Sequence, residues 1–195
     1  KLQESEKTLQ RTFDQAPIGA ALLSLNNKII RTNESLSLIT GYSAEELVTL
    51  SLSDLVHPQD RENAAKAWEP IFTGQTEQCT VEARCVRRNE SVIWLRMSFA
   101  LIRDDSGNPS YILPMMEDIT AQKTAMVELE NREELFRKLT NLMPSGIVIM
   151  NTHGYCQYVN RGWQKRTGLS LQDSEGDGWI KGIHPEDQES VAAKF

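Results

Sequence analysis

The sequence contains no long apolar stretch and few of the residues that build disulfide frameworks or zinc sites. Among its 195 residues are three cysteines and three histidines, and no Cys-x-x-Cys occurs, which argues against both kinds of site. The longest apolar runs, such as residues 18–23 and 146–150, are far too short for a membrane-spanning helix. Because the N-terminus also lacks an apolar signal core, we expect a cytoplasmic segment without membrane contact.

Basic clusters and catalytic motifs are missing as well. The formal net charge is −6 and the largest basic group is Arg84, Arg87 and Arg88, so we expect no nucleic-acid partner. There is no glycine-rich phosphate loop, no Ser/His/Asp order and no carboxylate spacing for a metal. The Gly-Gly-Asp-Glu-Phe signature of cyclases, the Glu-Ala-Leu signature of phosphodiesterases and a phosphoacceptor-histidine helix are also absent. We therefore predict that this segment is not itself an enzyme and has no metal site.

The chain repeats itself at a fixed spacing. Pro17 and Pro144 are 144 − 17 = 127 residues apart, and the same offset links Gly41 to Gly168 and the two His-Pro-x-Asp motifs. Most of the matching residues are turn or cap types, which recur when a backbone shape recurs. The sequence therefore predicts one unit, a short helix followed by a domain, that occurs twice.

Hydrophobic patterning in the first copy predicts the element order β-β-α-α-α-β-β-β. Two short apolar runs around residues 26–27 predict a hairpin, and the helix after it is capped by Asn33 and ended by Gly41. Ser43 begins a capping box, and Asp60 is expected to cap a longer helix, as Asp187 is in the second copy. Three more strands are predicted over residues 79–86, 92–103 and 111–116. A five-stranded antiparallel sheet with short helices on one face is an α+β fold.

The motifs in this order resemble a PAS domain with its C-terminal PAC part. They are Ala16-Pro17-Ile18-Gly19, Asn33 with Thr40-Gly41-Tyr42-Ser43, His57-Pro58-Gln59-Asp60, Val92-Ile93-Trp94-Leu95 and Asp118-Ile119-Thr120. The resemblance covers residues 9–120 and, in its first half only, residues 135–195. Similar domains usually carry glycine in the hairpin where Glu90 stands, so we expect Asn89 to take the left-handed conformation there.

The repeat and the resemblance together predict four segments. These are an N-terminal helix over residues 1–16, a first PAS/PAC domain over 17–120, a linker helix over 121–143 and the N-terminal half of a second PAS domain over 144–195. The strands that close the second sheet would begin near residue 79 + 127 = 206. We therefore expect residues 145–195 either to be poorly ordered or to borrow an apolar wall from copy one or another chain.

The linker carries apolar residues at heptad spacing, but the pattern is imperfect. It predicts either an amphipathic tether or a coiled coil between two chains. By resemblance, the residues that transfer the signal would be Asp118, Ile119, Thr120, Met126, Leu129 and Phe136.

The space between helices and sheet is the remaining candidate site. Eleven side chains are predicted to surround it: Leu22, Leu36, Ile39, Leu47, Leu55, Trp68, Phe72, Val81, Leu95, Met97 and Phe99. In similar domains this space is either filled by side chains or holds a small ligand, and a filled core is the simpler interpretation.

We predict no cofactor, although a redox flavin or a haem stays open as an alternative. Haem-binding relatives usually place a histidine on the helix that here spans residues 61–72, which has none. Light-sensing flavin domains need a cysteine between the central helices, and residues 49–56 have none. His57 and His184 are interpreted as loop residues before a proline, His153 as a solvated turn residue, and Trp68 as core.

The resemblance implies a sensory and dimerisation module of a bacterial signal-transduction protein. Such a module passes a conformational bias through the linker helix to an output domain. That output would be a diguanylate cyclase, a cyclic-di-GMP phosphodiesterase or a histidine kinase of a two-component system. A homodimer is the expected assembly, and a small molecule in the PAS cavity is a further candidate partner.

Overall fold

The computed structural model describes residue 8 and residues 10–192, and the chain divides into two compact units, Lys1–Thr124 and Ala125–Phe195. The N-terminal helix predicted over residues 1–16 lies in part outside the described residues. Within them, residues 10–14 are helical.

The first unit is built on a five-stranded antiparallel sheet, which confirms the predicted α+β fold. The strands are β1 (Gly19–Leu23), β2 (Ile29–Thr32), β3 (Gln78–Val86), β4 (Val92–Arg103) and β5 (Pro109–Asp118). Their order across the sheet is β2-β1-β5-β4-β3. The first and last strands of the domain are therefore neighbours, with Gly19 opposite Met116.

Four helices connect β2 to β3. They are α1 (Glu34–Thr40), α2 (Ala44–Leu47), α3 (Leu52–Leu55) and α4 (Arg61–Phe72). The predicted local signals are confirmed: Gly41 ends α1 in the left-handed conformation with φ 75°, and Ser43 forms a capping box with Glu46. Short helices with their own caps need few residues, so all four fit between two strands.

The second unit begins inside the long helix α5 (Thr120–Leu142) and repeats the start of the first. It continues with β6 (Val148–Met150), β7 (Cys156–Val159), α6 (Arg161–Thr167), α7 (Leu171–Ser174), a 3₁₀ helix (Gly178–Gly182) and α8 (Pro185–Ala192). Its small apolar cluster centres on Cys156, Val159 and Trp179, with Trp163 partly buried against it. The described part of this unit, up to residue 192, thus has a small core of its own, and the contribution of another chain stays a prediction.

Asp60 does not have the capping role predicted for it. Its carboxylate makes no cap hydrogen bond to α4 and instead accepts from the backbone N, Nε and Nη2 of Arg84 on β3, at 2.6–3.0 Å. The Arg84 side chain lowers the pKa of Asp60 to about 2. The Asp60 carboxylate binds the guanidinium because this cation donates two hydrogen bonds to it, whereas a helix-end amide donates one from an uncharged N–H.

Two further local expectations were wrong. In the β3–β4 hairpin, Glu90 takes the left-handed conformation with φ 66°, and Asn89 does not. The Asn89 carboxamide is used instead to accept hydrogen bonds from the backbone N and hydroxyl of Ser91. In the second unit, α8 begins at Pro185, so Asp187 lies in its first turn rather than at its cap.

A buried asparagine fastens the beginning of the first domain. The Asn33 side chain, 2% exposed, accepts from the backbone N of Ala20 at 2.8 Å and of Leu36 at 3.0 Å. Its Nδ2 donates to the carbonyl of Ile18 at 2.8 Å and to that of Phe13 at 3.2 Å. One amide therefore joins the preceding helix, strand β1 and helix α1.

The second unit reproduces all four bonds at the 127-residue offset. Asn160, with no exposed surface, accepts from the backbone N of Ile147 and Trp163, and donates to the carbonyls of Ser145 and Thr140, all at 2.7–2.9 Å. The helix that enters this unit is α5, so the Asn160 side chain binds the last turn of the linker through the Thr140 carbonyl.

Replacing this amide with a carboxyl is expected to be costly. Asn33→Asp keeps the acceptor but turns the two donors into a carboxylate facing two carbonyls. We expect the free energy of unfolding of the first unit to fall by about 2–4 kcal/mol at neutral pH, with partial recovery in acid where the carboxyl is protonated. Urea unfolding measures it, with Asn26→Asp in the exposed turn as the control. Equal stability of the two variants would contradict the role given to Asn33.

Candidate functional site

The interior of the first unit brings together ten of the eleven side chains predicted to surround it. Eight are buried in one continuous cluster, and Ile39 and Phe72 pack against it partly exposed. The ring of Phe99 is buried in this cluster, 5.8 Å from the Trp68 ring and 6.5 Å from that of Phe72 in edge-on contact. Three aromatic rings thus occupy the space between α4 and the sheet.

Leu22 is the exception, and its predicted inward position is wrong. It is half-buried and lies outside the cluster, whereas its neighbours Ala21 and Leu23 are fully buried within it. Alternate residues of a strand point to opposite faces, so a one-residue shift in the predicted alternation exchanges inside for outside. Ile112 and Met116 on β5 are also fully buried in this core and were not predicted to line it, although an alternating pattern over residues 110–118 indicates them.

Trp68 is expected to be a large contributor to stability because it is 4% exposed and contacts two other rings. Trp68→Ala should lower the free energy of unfolding of the first unit by about 3–5 kcal/mol. Chemical denaturation measures the change, and Trp68→Phe, which keeps most of the packing, is the matched control. A loss below about 1 kcal/mol for Trp68→Ala would fall outside the range of a core aromatic residue.

The junction where β5 passes into α5 is the second candidate site. The predicted signal-transfer residues Asp118, Ile119 and Thr120 all bind neighbouring strand or helix ends. The Ile119 N donates to the carbonyl of Trp94, and the Trp94 N donates to Oγ1 of Thr120, both at 2.9 Å. Strand β4 thus continues its hydrogen-bond ladder onto the first residue of the helix.

Asp118 connects this junction to a more distant helix. One carboxylate oxygen accepts from the Thr120 N at 2.9 Å and the other from Nη2 of Arg87 at 2.8 Å. The Nε of the same arginine donates to the carbonyl of Ile39 on α1 at 2.7 Å. Through Arg87, which the sequence analysis did not assign to this site, the start of α5 is tied to the helix layer.

Lys123 forms a second attachment one turn along α5. Its ammonium lies 2.7 Å from a carboxylate oxygen of Glu82 on β3 and 5.2 Å from the Trp94 ring centroid. The hydrogen bond from Lys123 is the main cause that lowers the pKa of Glu82, and Arg96 adds to it. Trp94 therefore contacts α5 in two ways: its backbone N donates to Thr120, and its ring lies against the ammonium of Lys123.

Removing the hydroxyl of Thr120 should loosen this junction locally. Thr120→Val leaves the amide of Trp94 without its acceptor, at an expected cost of about 1–2 kcal/mol. The amide of Trp94 should exchange with solvent faster, which hydrogen exchange by NMR measures. Thr124→Val is the matched control because the exposed Thr124 hydroxyl only donates to a carbonyl of its own helix. Unchanged protection of the Trp94 amide would refute the contact.

The C-terminal turn of α5 is held by the second unit in a corresponding way. Thr140 is 6% exposed, its hydroxyl lies 2.6 Å from that of Tyr158 on β7, and the Phe136 ring centroid is 5.4 Å from that of Tyr158. In the first unit Arg31, the residue equivalent to Tyr158, lies 4.9 Å over the ring of Phe13, the equivalent of Thr140. By contrast, Met126 and Leu129 are each 59% exposed.

The histidines do not come together. Nδ1 of His57 accepts from the Gln59 N at 3.3 Å, His153 stacks on Tyr155, and His184 lies 4.0 Å from Glu186. Within the described residues, no group of three or more His, Cys, Asp or Glu side chains is arranged to hold a metal ion. Over the same part of the chain, no helix combines the length and the apolar character needed to cross a membrane.

Comparison with known proteins finds a match to the same family in each of the two units. The family profile described as PAS fold matches residues 29–115, and one described as PAS domain matches residues 134–194. The chain therefore belongs to the PAS family, with one PAS match in each repeat. Tandem PAS domains of this kind are sensory modules of signalling proteins.

Similar curated proteins include a probable diguanylate cyclase and a sensor histidine kinase, both much longer than this chain. A probable diguanylate cyclase of Escherichia coli (strain K12), DgcE, is 30% identical over 122 residues, which are 63% of this chain and 11% of that protein. The sensor histidine kinase TmoS of Ectopseudomonas mendocina is 26% identical over 133 residues, 68% of this chain and 14% of that protein. The chain thus spans less than a fifth of either relative.

Solved structures support the fold. A PAS domain from Colwellia psychrerythraea superposes with a TM-score of 0.56 at 21% identity and covers 60% of this chain and 98% of that one. A PAS domain from a two-component sensor histidine kinase gives a TM-score of 0.52 at 19% identity, over 60% and 99% of the two chains. At these identities the likeness shows the fold alone.

Proposed function

We propose that this chain is the sensory and dimerisation part of a cytoplasmic signalling protein and relays a conformational bias along α5 to an output domain. The observation that carries the proposal is that α5 is fastened at each end to a PAS unit. Trp94, Asp118 and Lys123 hold its first turns, and Tyr158 and Asn160 hold its last. A displacement in either unit would therefore act on the helix.

The proposed functional boundaries follow the predicted segments, with the first domain at 17–120, the linker at 121–143 and the second domain at 144–195. The two matched family regions support them, as does the division into compact units within α5. The output is proposed to be a diguanylate cyclase, a phosphodiesterase or a histidine kinase, since relatives include a probable diguanylate cyclase and sensor kinases.

We propose a homodimer and a ligand-free first domain. The exposed Met126 and Leu129 offer α5 an apolar stripe for a second copy. The three aromatic rings at the centre of the first domain favour a core filled by side chains over a bound flavin or haem. A visible absorption spectrum of the purified protein distinguishes a ligand-free core from these cofactors, because a band at ~450 nm would report a bound flavin and one at ~400 nm a bound haem.

The relay is tested by changing the helical phase of the linker. Four residues inserted after Gln122 rotate everything beyond them by about 40°, whereas seven residues nearly restore the phase. In the protein joined to its output domain, we expect activity to change with four inserted residues and to recover with seven. Equal activity of both variants and of the unaltered protein would make α5 a passive tether.

A further inference from the structure

A groove lined by hydrogen-bond donors lies between the end of α1 and the β3–β4 hairpin of the first unit. Its volume is about 440 Å³, and the described residues that line it are Leu38, Gly41, Arg87, Arg88 and Asn89. The two arginines belong to the largest basic group of the sequence. All three polar side chains of the groove therefore carry N–H donors.

Most N–H groups of the two guanidiniums have no acceptor within the described residues. Arg87 uses Nε for a carbonyl of α1 and Nη2 for Asp118, and Arg88 uses Nε for Glu46 at 2.7 Å. Nη1 of Arg87 and both Nη atoms of Arg88 make no hydrogen bond to any residue that the structure describes. These donors are free to bind a molecule in the groove.

The acceptors beside the groove, by contrast, are already used. The Asn89 carboxamide oxygen accepts from the backbone N and the hydroxyl of Ser91, which leaves Nδ2 as a donor. The carbonyls of Ile39 and Thr40, at the end of α1, accept from the two arginines at 2.7 and 3.0 Å. The groove thus offers a ligand donors and positive charge.

We propose that this groove binds a small anion, a carboxylate or a phosphate ester with an apolar part. Guanidinium groups bind both kinds of anion through paired, charge-assisted hydrogen bonds. Leu38, which is 77% exposed, supplies an apolar wall beside them. The volume of the groove lies within the range of small-molecule sites. This site lies outside the packed interior of the domain, so it does not require space among the core side chains.

Occupancy of the groove would act on the start of α5, an effect that rests on the proposed relay. The Asp118 carboxylate accepts from Nη2 of Arg87 at 2.8 Å and from the backbone N of Thr120 at 2.9 Å. An anion on the same guanidinium repels this carboxylate, so binding weakens the pair of Arg87 with Asp118. The two side chains are 33% and 28% exposed, and a pair so open to solvent separates at small cost.

Titration of the whole chain with inorganic phosphate, phenyl phosphate and benzoate tests the site. At low ionic strength, we expect the NMR signals of the Gly41 and Asn89 amides and of Arg87 Nε to shift. Arg88→Gln should weaken binding by about tenfold or more, as loss of charge-assisted hydrogen bonds does. The matched control is Arg103→Gln, which removes an arginine paired with Glu77 at the other end of β4. It should leave the affinity within about twofold.

Two further variants separate the apolar wall from the charge. Leu38→Ser should weaken the binding of phenyl phosphate and leave that of inorganic phosphate unchanged, because only the ester has a ring to place against Leu38. Asp118→Asn should tighten the binding of all three probes by roughly threefold, since a competing negative charge is removed.

Hydrogen exchange of the Thr120 amide measures the effect on α5. This amide donates to Asp118, so saturating phenyl phosphate should speed its exchange. The Thr124 amide, further along the same helix, is the internal control. Exchange of the Thr120 amide that stays the same while the probe is bound would remove the coupling to α5.

The groove itself stands or falls on the titration. No binding of any probe at ~10 mM, or equal affinities of the unaltered chain, Arg88→Gln and Arg103→Gln, would overturn the site. The insertions after Gln122 test the relay separately, so a passive linker together with binding that depends on Arg88 would contradict the proposed function and leave the anion site in place.

Discussion

The carboxamide of a buried asparagine is the interaction on which each unit depends. Asn33 and Asn160 have two donors and an acceptor within one planar group, and each binds two backbone carbonyls and two backbone amides at the start of its unit. A serine or threonine could cap the following helix but has too few donors for the rest. The asparagine therefore fixes how the incoming helix, the first strand and the next helix meet.

The asparagine of the second unit also fixes one end of the linker helix α5. The helix leaves the first unit as a continuation of the β4–β5 ladder, since Ile119 and Thr120 exchange hydrogen bonds with Trp94. It enters the second unit as the element that Asn160 binds. The same helix is thus the end of one domain and the beginning of the next.

The interior of the first domain and the junctions at its surface are held together by different kinds of interaction. The interior is a packed set of aliphatic and aromatic side chains. The junctions use charge-assisted bonds, such as Arg87 with Asp118 and Lys123 with Glu82, whose groups are about one-third exposed. Exposed ion pairs of this kind contribute little to stability, so they can rearrange at small cost while the core stays intact.

Much of the fold was readable from the sequence because its signals are local. The hairpin around residues 26–27, the cap at Asn33, the capping box at Ser43 and the glycine stop at Gly41 each depend on residues within about four positions of one another. The 127-residue repeat carried these signals into the second unit, and the hydrophobic pattern of β3 and β4 correctly placed Val81, Leu95, Met97 and Phe99 in the core.

The tertiary structure decided what depends on contacts distant in sequence. Asp60 binds Arg84 rather than its helix, and Leu23 rather than Leu22 faces the core. Tyr158 contacts Phe136 of the linker helix, a contact that heptad spacing did not indicate. Caps and periodicity specify which element forms and which residues share a face. Which partner a charged group or a helix face finally takes is set by strand register and chain packing, where several partners of similar local suitability compete and the one with the better geometry prevails.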